Sequence, residues 1–239
     1  MAADAYLLSL AEAGTGPPVV RIYGWDRPSI TIGYHQRPGR AVNLSRLGET
    51  PIVRRVTGGR ALYHDANEIT YAVAGNFSRY PVLGSDLHGS YNIIARAIVE
   101  FYRSHGWPAE ISHRDHPISL AESMSVQKGC FAAVSRYEIV VSGQKVAAGS
   151  QRRTKTSFLQ HGAIKLAPPE PHPAIIDIPE PVAGKDLGKI EGAFAELAEN
   201  IINIFSKIYN VSFGRQPFSP RERTEIAGLM AAARIDNLH

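Results

Sequence analysis

The chain has 239 residues, 44% hydrophobic and 20% charged, with 26 Lys and Arg against 22 Asp and Glu for a net charge of +4. This suits one large globular domain and excludes disordered and fibrous classes. No apolar run reaches the roughly 18 residues of a membrane span, no charged-then-apolar leader opens the chain, and the single cysteine, Cys130, excludes an intrachain disulfide or an all-cysteine metal site. A cytoplasmic protein is expected, with neither membrane nor nucleic acid as partner.

In chain order, Ala3–Ala13 carries apolar residues at helical spacing and stops before Gly14-Thr15-Gly16-Pro17-Pro18. Val19–Trp25 and Ser29–Tyr34 read as two strands of a hairpin joined by Asp26-Arg27-Pro28. Val53–Arg55, Ala61–His64 and Ile69–Ala74 are further strands. Leu87, Tyr91, Ile94, Ile98 and Phe101 or Tyr102 mark one face of a helix from Ser85 to His105. Arg136–Ser142 and Gln144–Ser150 flank a second hairpin turn at Ser142-Gly143, and Phe158–Leu166 follows as a strand. Six prolines make Ala167–Pro181 an extended loop. Ile190, Phe194, Leu197, Ile201, Ile204 and Ile208 predict a second long helix. Asn210–Gly214 is a short strand candidate, and a last helix begins after Ser219-Pro220. Hairpin-linked strands with helices between them argue for an antiparallel or mixed sheet packed with helices, not for regular βαβ winding. No G-x-G-x-x-G or Walker loop is present.

Chemistry-bearing residues concentrate in three places. Arg54-Arg55-Val56-Thr57-Gly58-Gly59-Arg60-Ala61-Leu62-Tyr63-His64-Asp65 combines glycines, which let backbone N–H groups approach a ligand, with three arginines. A plain turn with exposed arginines is the simpler alternative. Lys128-Gly129-Cys130-Phe131 contains the lone thiol, readable either as a small buried hydrophobe or as a reactive loop cysteine near cations. The third is the run from Gly143 to Arg153 followed by Gln160-His161-Gly162; alone, Lys145 reads as a solvated strand lysine and His161 as structural. His113 and His116, with Asp115 between them, have a faint metal-site look, but Pro117 follows and no further ligand is evident, so no metal is expected.

Taken together these motifs resemble the biotin/lipoate A/B protein ligase superfamily. The resemblance rests on Arg54-Arg55-x-Thr57-Gly58-Gly59-Arg60-Ala61-x-x-His64-Asp65, on Gly143-x-Lys145 with Gln151-x-Arg153, and on Leu159-Gln160-His161-Gly162. It extends to the opening helix Met1–Leu8 and to Ile32-Gly33-Tyr34-His35-Gln36. It implies an α/β fold, a mixed, mostly antiparallel sheet packed with helices. The chain would be a single catalytic domain over residues 1–239, with the motifs in 1–166 and a proline-rich loop and C-terminal helices in 167–239. Thr57-Gly58-Gly59-Arg60, and Cys130-Phe131 ahead of Tyr137-Glu138, are most similar to the branch of cysteine-dependent octanoyl-[acyl carrier protein]:protein N-octanoyltransferases. One departure is Ala148-Gly149-Ser150 where the family usually has Gly-Ser-Ala.

The resemblance implies a role for each matched residue. Cys130 would be the nucleophile and Lys145 the cation that stabilises its thiolate. Arg55, Thr57, Gly58, Gly59, Arg60, His64, Gln151 and His161 would bind substrate. Arg54, Arg55, Arg152, Arg153 and Lys155 would form a docking face for the donor, octanoyl-acyl carrier protein, and Leu62, Tyr71 and Val73 would line the acyl slot. The acceptors would be lipoyl domains of 2-oxoacid dehydrogenases or the glycine cleavage H protein. No cofactor is implied unless the chain is instead an ATP-dependent lipoate ligase needing ATP and magnesium. A lipoyl-domain amidotransferase is the other alternative.

Overall fold

Helix α1 (Ala2–Ala13) ends where Gly14 adopts φ 67°, a left-handed conformation that costs a glycine little. Strand β1 (Val19–Tyr23) follows, then β2 (Ser29–Ile32), a one-turn helix α2 (Pro38–Ala41), β3 (Ile52–Arg54), β4 (Leu62–His64) and β5 (Glu68–Asn76). Helix α3 (Leu87–Ser104) precedes β6 (Ala109–Ile111), β7 (Ile139–Val141), β8 (Gln144–Arg153) and β9 (Ser157–Lys165); helices α4 (Phe194–Tyr209) and α5 (Pro220–Ala233) close the chain. The computed structural model describes residues 1–112, 130, 137–175, 187–233 and 235. His113, Asp115, His116, Lys128, Gly129, Phe131 and Arg136, together with the end of the proline-rich loop, lie outside the described residues.

The main sheet has six strands in the order β1-β5-β9-β8-β7-β6, every neighbouring pair antiparallel. Both faces are covered. Along β5 alternate residues point to opposite faces. Ile69, Tyr71 and Val73 pack with Ile94, Ile98, Phe101 and Tyr102 of α3 and Leu197, Ile201 and Phe205 of α4. Ala72 and Ala74 meet Leu7 and Leu8 of α1 on the other face. A small sheet, ordered β3-β2-β4, sits beside the main one, with β2 parallel to β3 and antiparallel to β4.

The expected hairpin of Val19–Trp25 with Ser29–Tyr34 does not form. β1 pairs with β5 in the large sheet and β2 with β3 and β4 in the small one. Asp26-Arg27-Pro28 carries the chain between sheets, and Trp25 fixes that crossing: its indole N–H donates to Thr70 Oγ1 at 2.9 Å and its ring stacks on His64. The Ser142-Gly143 hairpin does form, between β7 and β8. Asn210–Gly214 is not a strand. Asn210 caps α4 in the left-handed region at φ 53°, which Asn tolerates better than most residues, and residues 211–219 are irregular. At the start of α5, Ser219 Oγ accepts from Glu222 N and Glu222 Oε2 accepts from Ser219 N, a reciprocal capping box.

Candidate active site

A cavity of about 430 Å³ opens between α3 and the main sheet. Its apolar wall comes from Leu62 of β4, Tyr71 of β5, Tyr91, Ala95 and Ile98 of α3, and Ala148 of β8. Burial pushes the phenols of Tyr71 and Tyr91 up, so both stay neutral. Gly149 and Gly162 are register partners on β8 and β9. A Cβ on Gly149 would sit 2.6 Å from the Tyr71 hydroxyl, and one on Gly162 only 2.1 Å from Ala148 O. The two glycines leave room for the Tyr71 ring. Val73 lies in the core against α3, not on the cavity wall.

Cys130 is half-buried on this wall beside Leu62, Ala148 and Ala163. Its backbone N–H donates to Ala61 O at 2.8 Å, tying the cysteine to the end of the glycine loop. Lys145 is not a solvated strand lysine, for it is 1% exposed. Its ammonium donates to Cys130 O at 2.7 Å, lies 3.7 Å from Cys130 Sγ, and pairs with the carboxylate of Glu138. Cation and thiol, fifteen residues apart in sequence, are therefore brought together, with Cys130 on the cavity wall and the buried Lys145 behind it. A carboxylate beside the ammonium favours its charged form, and the charged form favours a thiolate at Sγ.

The glycine loop is held from within by Arg55. Its guanidinium donates to Thr31 O, Thr31 Oγ1, Gly58 O and Arg60 O at 2.7–3.1 Å. Burial pushes Arg55 down to about 10, and a thiolate at Cys130 opposes that fall; by the same attraction Arg55 favours the thiolate. Gly59 needs its lack of a side chain, at φ 95°, whereas Gly58 faces open space. Gly33 packs so closely on the loop that a Cβ there would lie 2.1 Å from Gly59 O. Gly58, Gly59 and Arg60 line the cavity.

Two carboxylate–histidine–threonine chains buttress the loop. Asp4 of α1 accepts from Arg21 Nη1 (2.8 Å), Tyr23 OH (2.7 Å) and His161 Nδ1 (3.0 Å). His161 Nε2 lies 2.7 Å from Thr57 Oγ1, which lies 2.7 Å from Ser150 Oγ. In the second chain Glu68 Oε1 is 2.6 Å from His64 Nδ1, and His64 Nε2 is 2.8 Å from Thr31 Oγ1. Burial works against ionising Glu68, yet His64 and Lys165 outweigh it and bring the carboxyl down to about 2. Burial likewise opposes ionising Asp4, and hydrogen bonding to His161 with nearby cations still holds its carboxyl well below the usual range. Burial lowers both His64 and His161, which favours neutral rings. Gln151 donates to Gln160 Oε1 at 2.9 Å, and Gln160 in turn donates to the Tyr71 hydroxyl.

The anticipated docking face divides in two. Arg55 is buried, so it holds the loop rather than facing a partner. Arg54 turns onto the carbonyls of Gly33, Tyr34 and Gln36. Arg153 is half-buried against Phe77 and the start of α3. Only Arg152 and Lys155 of the five are exposed. Asp4, Thr31, Glu68, Glu138 and Ser150 were not singled out from sequence. Glu138 stood beside Tyr137 only as a spacing marker; Asp4, an acidic residue inside an apolar helical face, was the one legible signal. Among the described residues no group of three His, Cys, Asp or Glu is placed to hold a metal, and no helix is long and apolar enough to cross a membrane.

Residues 1–169 match the family model of the lipoyl protein ligase A/B catalytic domain. Octanoyltransferase LipM of Lysinibacillus sphaericus is 38% identical over 169 residues, covering 70% of this chain and 60% of that protein. LipM of Kyrpidia tusciae is 37% identical over 168 residues, covering 70% and 61%. The matched region thus spans about 60% of the length of these curated relatives. Among solved structures, protein Ta0514 of T. acidophilum with bound lipoic acid superposes with a TM-score of 0.73 at 19% identity, covering 97% of this chain and 90% of that one. Lipoate-protein ligase A bound with ATP gives 0.70 at 18%, covering 96% and 89%. At these identities the likeness is one of fold.

Proposed function

We propose a function from one premise: the chain belongs to the lipoyl protein ligase A/B catalytic domain family. Within that family it acts as an octanoyltransferase, taking an octanoyl group from an acyl carrier protein thioester through a cysteine acyl-enzyme to a lysine of a lipoyl domain. The observation that carries this reading is Lys145 Nζ lying 3.7 Å from Cys130 Sγ on an apolar-walled cavity. The LipM names of the relatives support the transferred group.

In the first half, the Cys130 thiolate attacks the thioester carbonyl carbon. The carbonyl becomes an oxyanion, then collapses and expels the carrier's thiol, leaving octanoyl on Sγ. Lys145 supplies the positive charge that keeps the thiolate available near neutral pH, where an unassisted thiol at pKa ~8.5 is only a few per cent ionised. Backbone N–H groups of Gly58 and Gly59, which line the cavity, would stabilise the oxyanion, each such donor contributing about 3 kcal/mol by general precedent. In the second half a lysine amine attacks the acyl-enzyme, the C–S bond breaks and an amide forms. The amine proton passes to Cys130 Sγ or, through Lys145, to Glu138. The thioester supplies the driving force, so ATP is not consumed.

Intact mass after incubation with octanoyl-acyl carrier protein, without ATP or magnesium, tests this. The expected result is a single octanoyl adduct on wild type, absent in Cys130→Ala, and consumed on adding a lipoyl domain. Lipoylation from free lipoate and ATP by Cys130→Ala would overturn it in favour of an ATP-dependent ligase.

A further inference from the structure

We infer that Ser150 Oγ is a hydrogen-bond acceptor presented to the attacking amine, its polarity set by Asp4 acting through His161 and Thr57. The inference rests on the acyl-transfer reading above. It follows from counting protons along the chain. Asp4 accepts from Arg21, Tyr23 and His161, so an ionised carboxylate fits all three contacts and His161 carries its proton on Nδ1. A neutral imidazole protonated at Nδ1 has a lone pair at Nε2. That lone pair faces Thr57 Oγ1 at 2.7 Å, so Thr57 donates its only proton there. The other acceptor near Thr57, Gly58 O, is farther away at 3.5 Å. Thr57 Oγ1 is then an acceptor toward Ser150 Oγ at 2.7 Å, and Ser150 donates inward. The hydroxyl proton of Ser150 is thereby committed to the interior, and the lone pairs of its oxygen remain for the cavity it lines.

A thioester offers the enzyme only acceptors, so Ser150 in this state has nothing to exchange with its carbonyl. An amine nucleophile offers N–H groups. A Cβ on Gly59 would lie 3.2 Å from Arg55 Nη2 and 3.6 Å from Ser150 Cβ, so the guanidinium and Ser150 sit close to one spot. That positive charge disfavours an ammonium at this spot and favours a neutral amine donating one N–H to Ser150 Oγ. The contact orients the amine; its lone pair stays free for the acyl carbon. Ser150 is the residue that touches substrate, while Thr57, His161 and Asp4 are positioning residues.

The two half-reactions separate this role from a general structural one. Acylation is followed by intact mass with octanoyl thiophenol, a donor without any N–H. Deacylation is followed by adding a lipoyl domain to the isolated acyl-enzyme. In Ser150→Ala, deacylation is expected to slow at least tenfold more than acylation, and the acylation rate reports that the variant is folded. Thr57→Val, which leaves Ser150 free to turn its proton outward, should reproduce the selective loss, and Thr57→Ser should restore it. Equal slowing of both halves, slowing of acylation alone, or unchanged deacylation would overturn the inference while leaving acyl transfer intact. Absence of any wild-type acyl-enzyme would overturn both.

Discussion

Arg55 and Arg152 both hydrogen-bond to the same loop and do different work, which no count of positive charges distinguishes. Arg55 spends its donors on Thr31, Gly58 and Arg60, inside the protein. Removing it leaves buried carbonyls without partners, a loss of about 3 kcal/mol. Arg55→Ala is therefore expected to lower the melting temperature and to slow acylation from octanoyl thiophenol and from acyl carrier protein alike. Arg152 donates to Val56 O and lies, more distantly, over the Tyr34 ring, and both Arg152 and Lys155 are exposed. Reversing both charges should leave the unfolding free energy within about 0.5 kcal/mol of wild type. It should also slow the acidic protein donor severalfold more than the small one. Parallel rates with the two donors in the reversed variant would remove Arg152 and Lys155 from docking.

Among the elements, glycines decide how closely β8 and β9 approach Tyr71. Gly162→Ala forces a Cβ into Ala148 O and should cost at least 2 kcal/mol, read by chemical denaturation. Gly58→Ala meets open space and should cost under 1 kcal/mol. At the C-terminal end, Ser219→Ala removes half of the capping box and should cost about 1 kcal/mol. The helices were legible because their apolar spacing and end signals are local: α1, α3, α4 and α5 all stand within a few residues of their expected positions. Strands were legible as segments but, apart from the β7–β8 hairpin at Ser142-Gly143, not as partners. The Asp26-Arg27-Pro28 break announces a change of direction, and nothing local says that β1 joins β5 while β2 leaves for another sheet. β6, three residues long, carries too little pattern to register. The same limit governs the site. The motif residues Thr57, Lys145 and His161 were visible as a set, whereas Asp4 and Ser150 acquire meaning only from partners that folding brings to them.

For the molecule as a whole, the buried carboxylates and histidines set a direction to its pH dependence. Glu68 falls from 4.5 to about 2 on folding and Asp4 also falls, so both stabilise the fold fully above the ordinary carboxylate range. That contribution is lost as pH drops from about 5 toward 2. His64 and His161 are lowered from 6.5, so protonation favours the unfolded chain and removes stability as pH falls below that value. Stability should thus decline steadily on the acid side of neutrality, and Glu68→Gln should flatten the slope between pH 5 and 3 in denaturant titrations at fixed temperature. An unchanged slope would show that Glu68 does not drive the acid limb. Asp4 and His161 also stand 157 residues apart in the order in which the chain is made. At about 5–20 residues per second, a ribosome needs roughly 10–30 s to deliver the second after the first. Through that interval α1 has neither the His161 that binds Asp4 nor β9, which together with β5 receives Leu7 and Leu8. A nascent chain stalled before residue 157 should remain protease-sensitive throughout, and resistance should appear only once β9 and α4, which covers the other face of the sheet, have both cleared the exit tunnel.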